Sequence, residues 1–161
     1  MADGFNPTLA IVFISILMDV RGTMAVLEEA GLAIFGASTA GEFTDSGIAH
    51  HSAAILLLDI PEAYFHITLS AYNRGEEKET ERHIGEEGKK AFRHPAVMMV
   101  TSHLETPGEY VMEGLTDALG PDVTIIGGVA GDDLLMQGGI VFTNHTSSER
   151  AICALFLDQD K

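Results

Sequence analysis

The chain lacks tryptophan altogether, has a single cysteine, and carries only 9 lysines and arginines in 161 residues. One thiol, Cys153, excludes an internal disulfide framework, which suits a cytoplasmic protein. Against 24 acidic residues the few bases leave a formal net charge of −15. Nucleic-acid affinity rests largely on Lys and Arg neutralising phosphates, and no basic stripe is present, so nucleic acid is excluded as a partner. Anionic membrane surfaces are disfavoured for the same reason. The acidity reads either as a device for solubility or a salt-rich cytoplasm, or as a functional feature in its own right.

Long hydrophobic runs are missing too. The longest uncharged apolar stretch near the start, Leu9 to Met18, is too short to span a bilayer. No basic residues precede it and no small-residue cleavage site follows it, so it reads neither as a signal peptide nor as a membrane insertion. Neither glycine-rich turn ends in Gly-Lys-Ser/Thr, and neither opens into a helix as a dinucleotide fingerprint requires, so nucleotide binding has no support. Ser38 and Thr39 are the only credible nucleophiles, yet no Gly-x-Ser-x-Gly elbow surrounds them and no histidine is near them in sequence. An enzyme is therefore not expected.

What is present is a 46% hydrophobic content, ample for the core of one domain or of two small halves sharing a core. Leu9 to Ile16 has the length and β-branched content of a strand. A helix follows, with Val20, Met24 and Leu27 on one stripe, and Gly31 ends it. The short strand Ala33 to Phe35 enters the turn Gly36 to Glu42. The run Ala53 to Leu58 is apolar on both faces and is expected to be central in its sheet.

The same order recurs about 90 residues later. Ala96 to Ser102 matches the first strand. A helix from Thr106 to Leu119 opens on the capping-box spacing Thr106-Pro-Gly-Glu109 and stops at Gly120-Pro121. Its apolar stripe is Tyr110, Val111, Leu115, Ala118 and Leu119. Val123 to Ile126 then enters Gly127 to Asp133, and strands are expected at Ile140 to Thr143 and Ala151 to Leu157. These correspondences predict one α/β domain over residues 1–161, built of two pseudo-repeated β-α-β-β units at about 9–60 and 96–158. Mixed sheets covered by helices would stack as a layered sandwich. In the linker 61–95, Tyr64 to Tyr72 alternates cleanly, as a half-buried antiparallel strand does. Arg74 to Arg93 reads as a charged surface helix weakened by Gly85 and Gly88.

Two turns correspond most closely, each with an acid directly after Ala-Gly. The pairing of Ser38-Thr39-Ala40-Gly41-Glu42 with Gly127-Gly128-Val129-Ala130-Gly131-Asp132, each behind a short strand, resembles the N-terminal domain of the FIST sensory family. Ile140 to Asn144 and the strand Ala151 to Leu157 also stand where that family has them. The resemblance covers nearly the whole chain. It implies a sensory module that feeds a signalling output protein and binds a small ligand such as an amino acid. Some relatives bind haem and respond to nitric oxide. The family usually has residues before the first strand and a further C-terminal region, whereas this chain stops shortly after Leu157. It reads as either a minimal stand-alone form or a trimmed one.

The turns carry suitable chemistry for a ligand. Glycine lets backbone approach a ligand closely, and successive amides can nest a carboxylate. Ser38, Thr39, Gly41 and Glu42, with Gly128, Gly131, Asp132 and Asp133, form the candidate site: hydroxyls and amides for a carboxylate, acids for an ammonium. A pseudo-twofold would bring both turns to one cleft. The competing reading is that the glycines make tight turns and the acids are solvated or capping. The histidines form no metal pattern. Each of His50, His51, His66, His83, His94, His103 and His145 reads as exposed or capping, or else as an axial ligand if haem is the cofactor. Cys153 shares a strand face with Leu155 and Leu157 and is expected to be buried and inert. Homo-oligomerisation, with or without sensing, is the remaining expectation.

Overall fold

The computed structural model describes residues 4–45, 47–102 and 108–161. His103, the Thr106 helix start with its capping box, and the Tyr110 and Val111 side chains lie outside the described residues. In chain order the elements are β1 (Leu9–Ser15), α1 (Val20–Glu29), β2 (Ala33–Thr39), β3 (Glu42–Thr44), β4 (Gly47–Ala49), β5 (Ala53–Leu58) and a 3-10 turn at Glu62–Tyr64. There follow β6 (Phe65–Ala71), α2 (Glu77–Ala91), β7 (Pro95–Thr101), α3 (Gly108–Leu119), β8 (Ile125–Val129), β9 (Val141–Phe142), β10 (Ser147–Ser148) and β11 (Ala151–Asp158). The class is α/β with mixed sheets.

The strands form a five-stranded sheet in the order β10-β9-β2-β1-β5 and a four-stranded sheet in the order β6-β11-β7-β8, with β3-β4 a separate hairpin. Apolar residues alternate along β1, so its two faces serve two different cores. Leu9 and Ile11 pack with Phe35, Val100, Cys153 and Leu155 between the sheets. Ala10, Val12 and Ile14 pack under Val20 and Leu27 of α1. On the far side, Val97, Met99, Ile152 and Phe156 of the four-stranded sheet meet Ile84 of α2 and Leu115 of α3. The layers therefore run helix, sheet, sheet, helix pair. Asp19 starts α1 by accepting the Gly22 amide (2.9 Å), and Gly31, at φ +78°, ends it.

β1 is flanked by β2 in parallel and by β5 antiparallel, and β7 likewise by β8 and β11. The later pieces exchange sheets. β9 pairs with β2, and β6 pairs with β11. Asn144 closes the β2 edge beyond β9 by accepting the Ile34 amide (2.8 Å) and donating to the Leu32 carbonyl (2.7 Å).

Several expectations change. β5 is an edge strand and not a central one. Its apolar run on both faces reflects an unpaired, exposed edge, with Ile55, Leu56 and Leu57 all exposed. Gly127 and Gly128 lie within β8 and not in a turn, as do Ser38 and Thr39 within β2. The glycines of α2 are contact points. An added Cβ at Gly85 would lie 2.7 Å from that of Ala118, and one at Gly88 would overlap the Phe156 ring. β6 is covered on its polar side too: Tyr72 is buried and its hydroxyl is 3.2 Å from that of Thr101. No described helix is long and apolar enough to cross a membrane.

Candidate functional site

The two Ala-Gly turns meet at the carboxyl ends of β1, β2 and β8. After β8 the chain crosses from one sheet to the other, and the Gly131 amide donates to the Ser38 carbonyl (2.8 Å) while the Asp133 amide donates to that of Thr39 (3.3 Å). Gly131 is required by this crossing, since an added Cβ would lie 2.7 Å from the Ala40 nitrogen. The contact joins residues more than ninety positions apart, as the paired motifs suggest.

Beside the crossing a cavity of about 310 Å³ opens between the sheets. Phe13, Ala37, Ser38 and Thr39 form its wall on one sheet, and Met98, Val100 and residues Ile126 to Ala130 form it on the other. Strand register explains the choice. Met98 and Val100 pair with Ile126 and Gly128 and share their face. At Gly128 an added Cβ would meet nothing within 4 Å, so the missing side chain opens the space. Among the described residues the lining bears no charged residue and no histidine.

Of the eight candidate residues, Ser38, Thr39 and Gly128 line this cavity, and Gly41, Glu42, Gly131, Asp132 and Asp133 do not. The polar groups are engaged in holding the crossing. The fully buried Ser38 hydroxyl donates to the Gly131 carbonyl (2.6 Å) and accepts the Ile140 amide (2.8 Å). The Thr39 hydroxyl donates to Glu42, whose other oxygen accepts from the Ser52 hydroxyl (2.6 Å) and amide (3.3 Å). Ser15 donates its hydroxyl proton to Asp133 (2.6 Å). Asp132 accepts the Gln137 and Gly138 amides (2.6 and 2.9 Å), clasping a loop in which Asp133, Leu134 and Met136 all have positive φ. Those amides, Gly138 first and then Gln137, hold its carboxyl below the usual range. The clasp therefore contributes above that range and is lost as pH falls through the depressed pKa.

Glu42→Ala is accordingly expected to act on stability, costing about 2 kcal/mol because the half-buried partners Thr39 and Ser52 lose their buried acceptor. Urea unfolding measures this. Unchanged stability with lost ligand binding would make Glu42 a ligand group instead.

The residues that sequence reasoning missed are apolar: Phe13, Ala37, Met98, Val100 and Ile126. Their only signal was the near-continuous apolar run of β1, β2, β7 and the start of β8, which marks a core and a cavity wall alike. Among the described hydrogen-bond partners of Ser38 and Thr39 there is no histidine. Burial pushes the Cys153 thiol up to about 12, so it is inert. A proximal His, Cys or Tyr is the usual haem ligand, and among the described lining residues Met98 is the one side chain able to ligate iron. Comparison with curated proteins finds no match. The family model described as FIST N domain matches residues 8–161.

Proposed function

The chain belongs to the FIST N domain family, a family of sensory domains in signal transduction, and from that premise we propose that it detects a small metabolite held between its two sheets. The observation that carries the reading is the cavity of about 310 Å³ at the carboxyl ends of β1, β2 and β8, uncharged among its described lining residues. Clefts of this size and apolar character, with a few polar groups at one end, suit small ligands. A buried charge without a partner is costly, so the ligand places an apolar body against Phe13, Met98 and Val100. Its polar end stays at the mouth, near Thr39 and the backbone of Gly128 to Ala130. An apolar amino acid or a related carboxylic acid has this shape. Gly41, Glu42, Gly131, Asp132 and Asp133 hold the turns that frame the mouth, and the output goes to a signalling protein.

A thermal-shift screen against apolar amino acids, small carboxylic acids and haem tests this. A ligand at a hundredfold excess over its dissociation constant adds about 2.7 kcal/mol to stability. Gly128→Leu projects a side chain into the cavity on the Val100 face and is expected to abolish that gain while leaving the unliganded melting temperature nearly unchanged. A shift that survives Gly128→Leu places the ligand elsewhere. A shift from haem alone replaces the metabolite with a gas-sensing cofactor.

A further inference from the structure

We propose that β5 is a self-association edge, through which two copies of this chain join by antiparallel β5–β5 pairing about a twofold axis. The proposal is independent of the ligand reading. Sheet edges expose unpaired amides and carbonyls, and proteins ordinarily blunt them with charge, proline, or brevity. The other described edges are shorter, more polar or weakened by glycine. β10 has two residues, both serine; β6 carries His66, Thr68 and Ser70; and β8, though continuous, holds Gly127 and Gly128, which give it no side chain to pack there. β5 has none of these features. It is Ala-Ala-Ile-Leu-Leu-Leu, without charge, with Ile55 42%, Leu56 55% and Leu57 37% exposed.

The other sheet shows what such an edge accepts. β11 occupies the same place beside β7 that β5 occupies beside β1. Its far side is filled by antiparallel β6, and β11 is buried from Ala151 to Phe156. On its outer face α2 lies against α3, where among the described residues the five-stranded sheet has α1 alone. A groove of about 330 Å³ runs between α1 and β5, bordered by Met18, Gly22, Thr23, Val26 and Ile55. Val26 is 67% exposed on that flank.

A second copy related by a twofold axis perpendicular to the sheet supplies both missing pieces. Its β5 is the antiparallel neighbour, and its α1 comes to the same outer face. Such an isologous contact is self-complementary and closed, and it merges two five-stranded sheets into one.

Charge permits this face and opposes most others. The chain as a whole is at −15, yet the groove and strand carry only Asp19, whose carboxylate is engaged with the Gly22 amide. Arg21, Glu28 and Glu29 do not line the groove. Long-range repulsion between copies remains and is screened by salt, so association tightens as ionic strength rises.

Sedimentation equilibrium over a concentration series at low and high salt tests this. The expected result is a monomer–dimer equilibrium that shifts to dimer with salt. Ile55→Lys and, separately, Val26→Arg are expected to raise the dissociation constant by about tenfold or more, with unchanged circular dichroism. Val26→Arg is the safeguard, because a side chain so exposed can be replaced without disturbing the fold. A chain that stays monomeric throughout overturns the proposal, and so does a dimer indifferent to both substitutions.

Discussion

Replacing Gly127 with alanine is expected to destabilise the domain by about 3 kcal/mol or more, a large share of the roughly 5–15 kcal/mol that holds a typical domain folded. Gly127 has φ +155° and pairs with Met99 across the parallel β7–β8 ladder. A methyl group there would fall on the Met99 carbonyl, which is backbone and cannot rotate aside. Relief requires β8 to separate from β7, and β8 is one wall of the cavity, so folding and site would be lost together. The neighbouring Gly128→Ala is the control: its added methyl meets nothing within 4 Å, and a cost under about 0.5 kcal/mol is expected. Urea unfolding of both variants measures the contrast. If Gly127→Ala comes within about 1 kcal/mol of wild type, β8 is free to shift and the tight β7–β8 contact is not a constraint.

How much of this was legible beforehand depended on whether a feature is local. Runs and punctuation along the chain located β1, α1, the start of β2, β6 and the end of α3, because periodicity and breakers act within a few residues. Burial of Cys153 followed from its strand face for the same reason. Sheet neighbours are not local. The run Ala53 to Leu58 announced apolar residues on both faces but not whether another strand would lie alongside it, and β5 proved to be an edge. That β9 pairs with β2 rather than joining the other sheet depends on contacts about a hundred residues apart. The candidate site divided in the same way. The meeting of the two turns through the Gly131 and Asp133 amides comes from the fold, though the likeness of the two motifs was readable. Which acids would be consumed in holding that meeting was not, because Ser52, Ser15 and the Gln137 and Gly138 amides are partners only in the folded chain. Gly85 and Gly88 illustrate the limit again. Helix propensity counts them as weaknesses, but in α2 they are where α3 and Phe156 approach.

Glu81→Gln is expected to stabilise the domain, and by more the higher the pH. Glu81 belongs to the charged linker helix, yet it is fully buried in the seam between α2 and α3, and among the described residues neither carboxyl oxygen has a partner at full hydrogen-bond geometry. It lies over Gly114, where an added Cβ would come 2.9 Å from its Oε2. Burial pushes its pKa up to about 8, assisted by Glu77 and Glu113 and opposed by the Gly114 amide and Lys78. Lys78 is itself engaged with Glu113 (2.9 Å) and Asp117 (3.5 Å) at the surface. In the unfolded chain the same carboxyl titrates at its ordinary value of 4.5. Between the two values the folded state holds a proton that the unfolded state has released, so stability falls as pH rises. The contribution is intact below the unfolded pKa and is lost progressively until the folded pKa is passed. Glutamine mimics the protonated acid at all pH values and removes that slope. Near pH 5 the two proteins should melt nearly alike, whereas near pH 9 the variant should be more stable by about 4 kcal/mol. Melting curves across that range decide it. Parallel pH profiles for the two proteins would mean that Glu81 finds water or a partner in the α2–α3 seam, and its burial would then carry no pH-dependent cost.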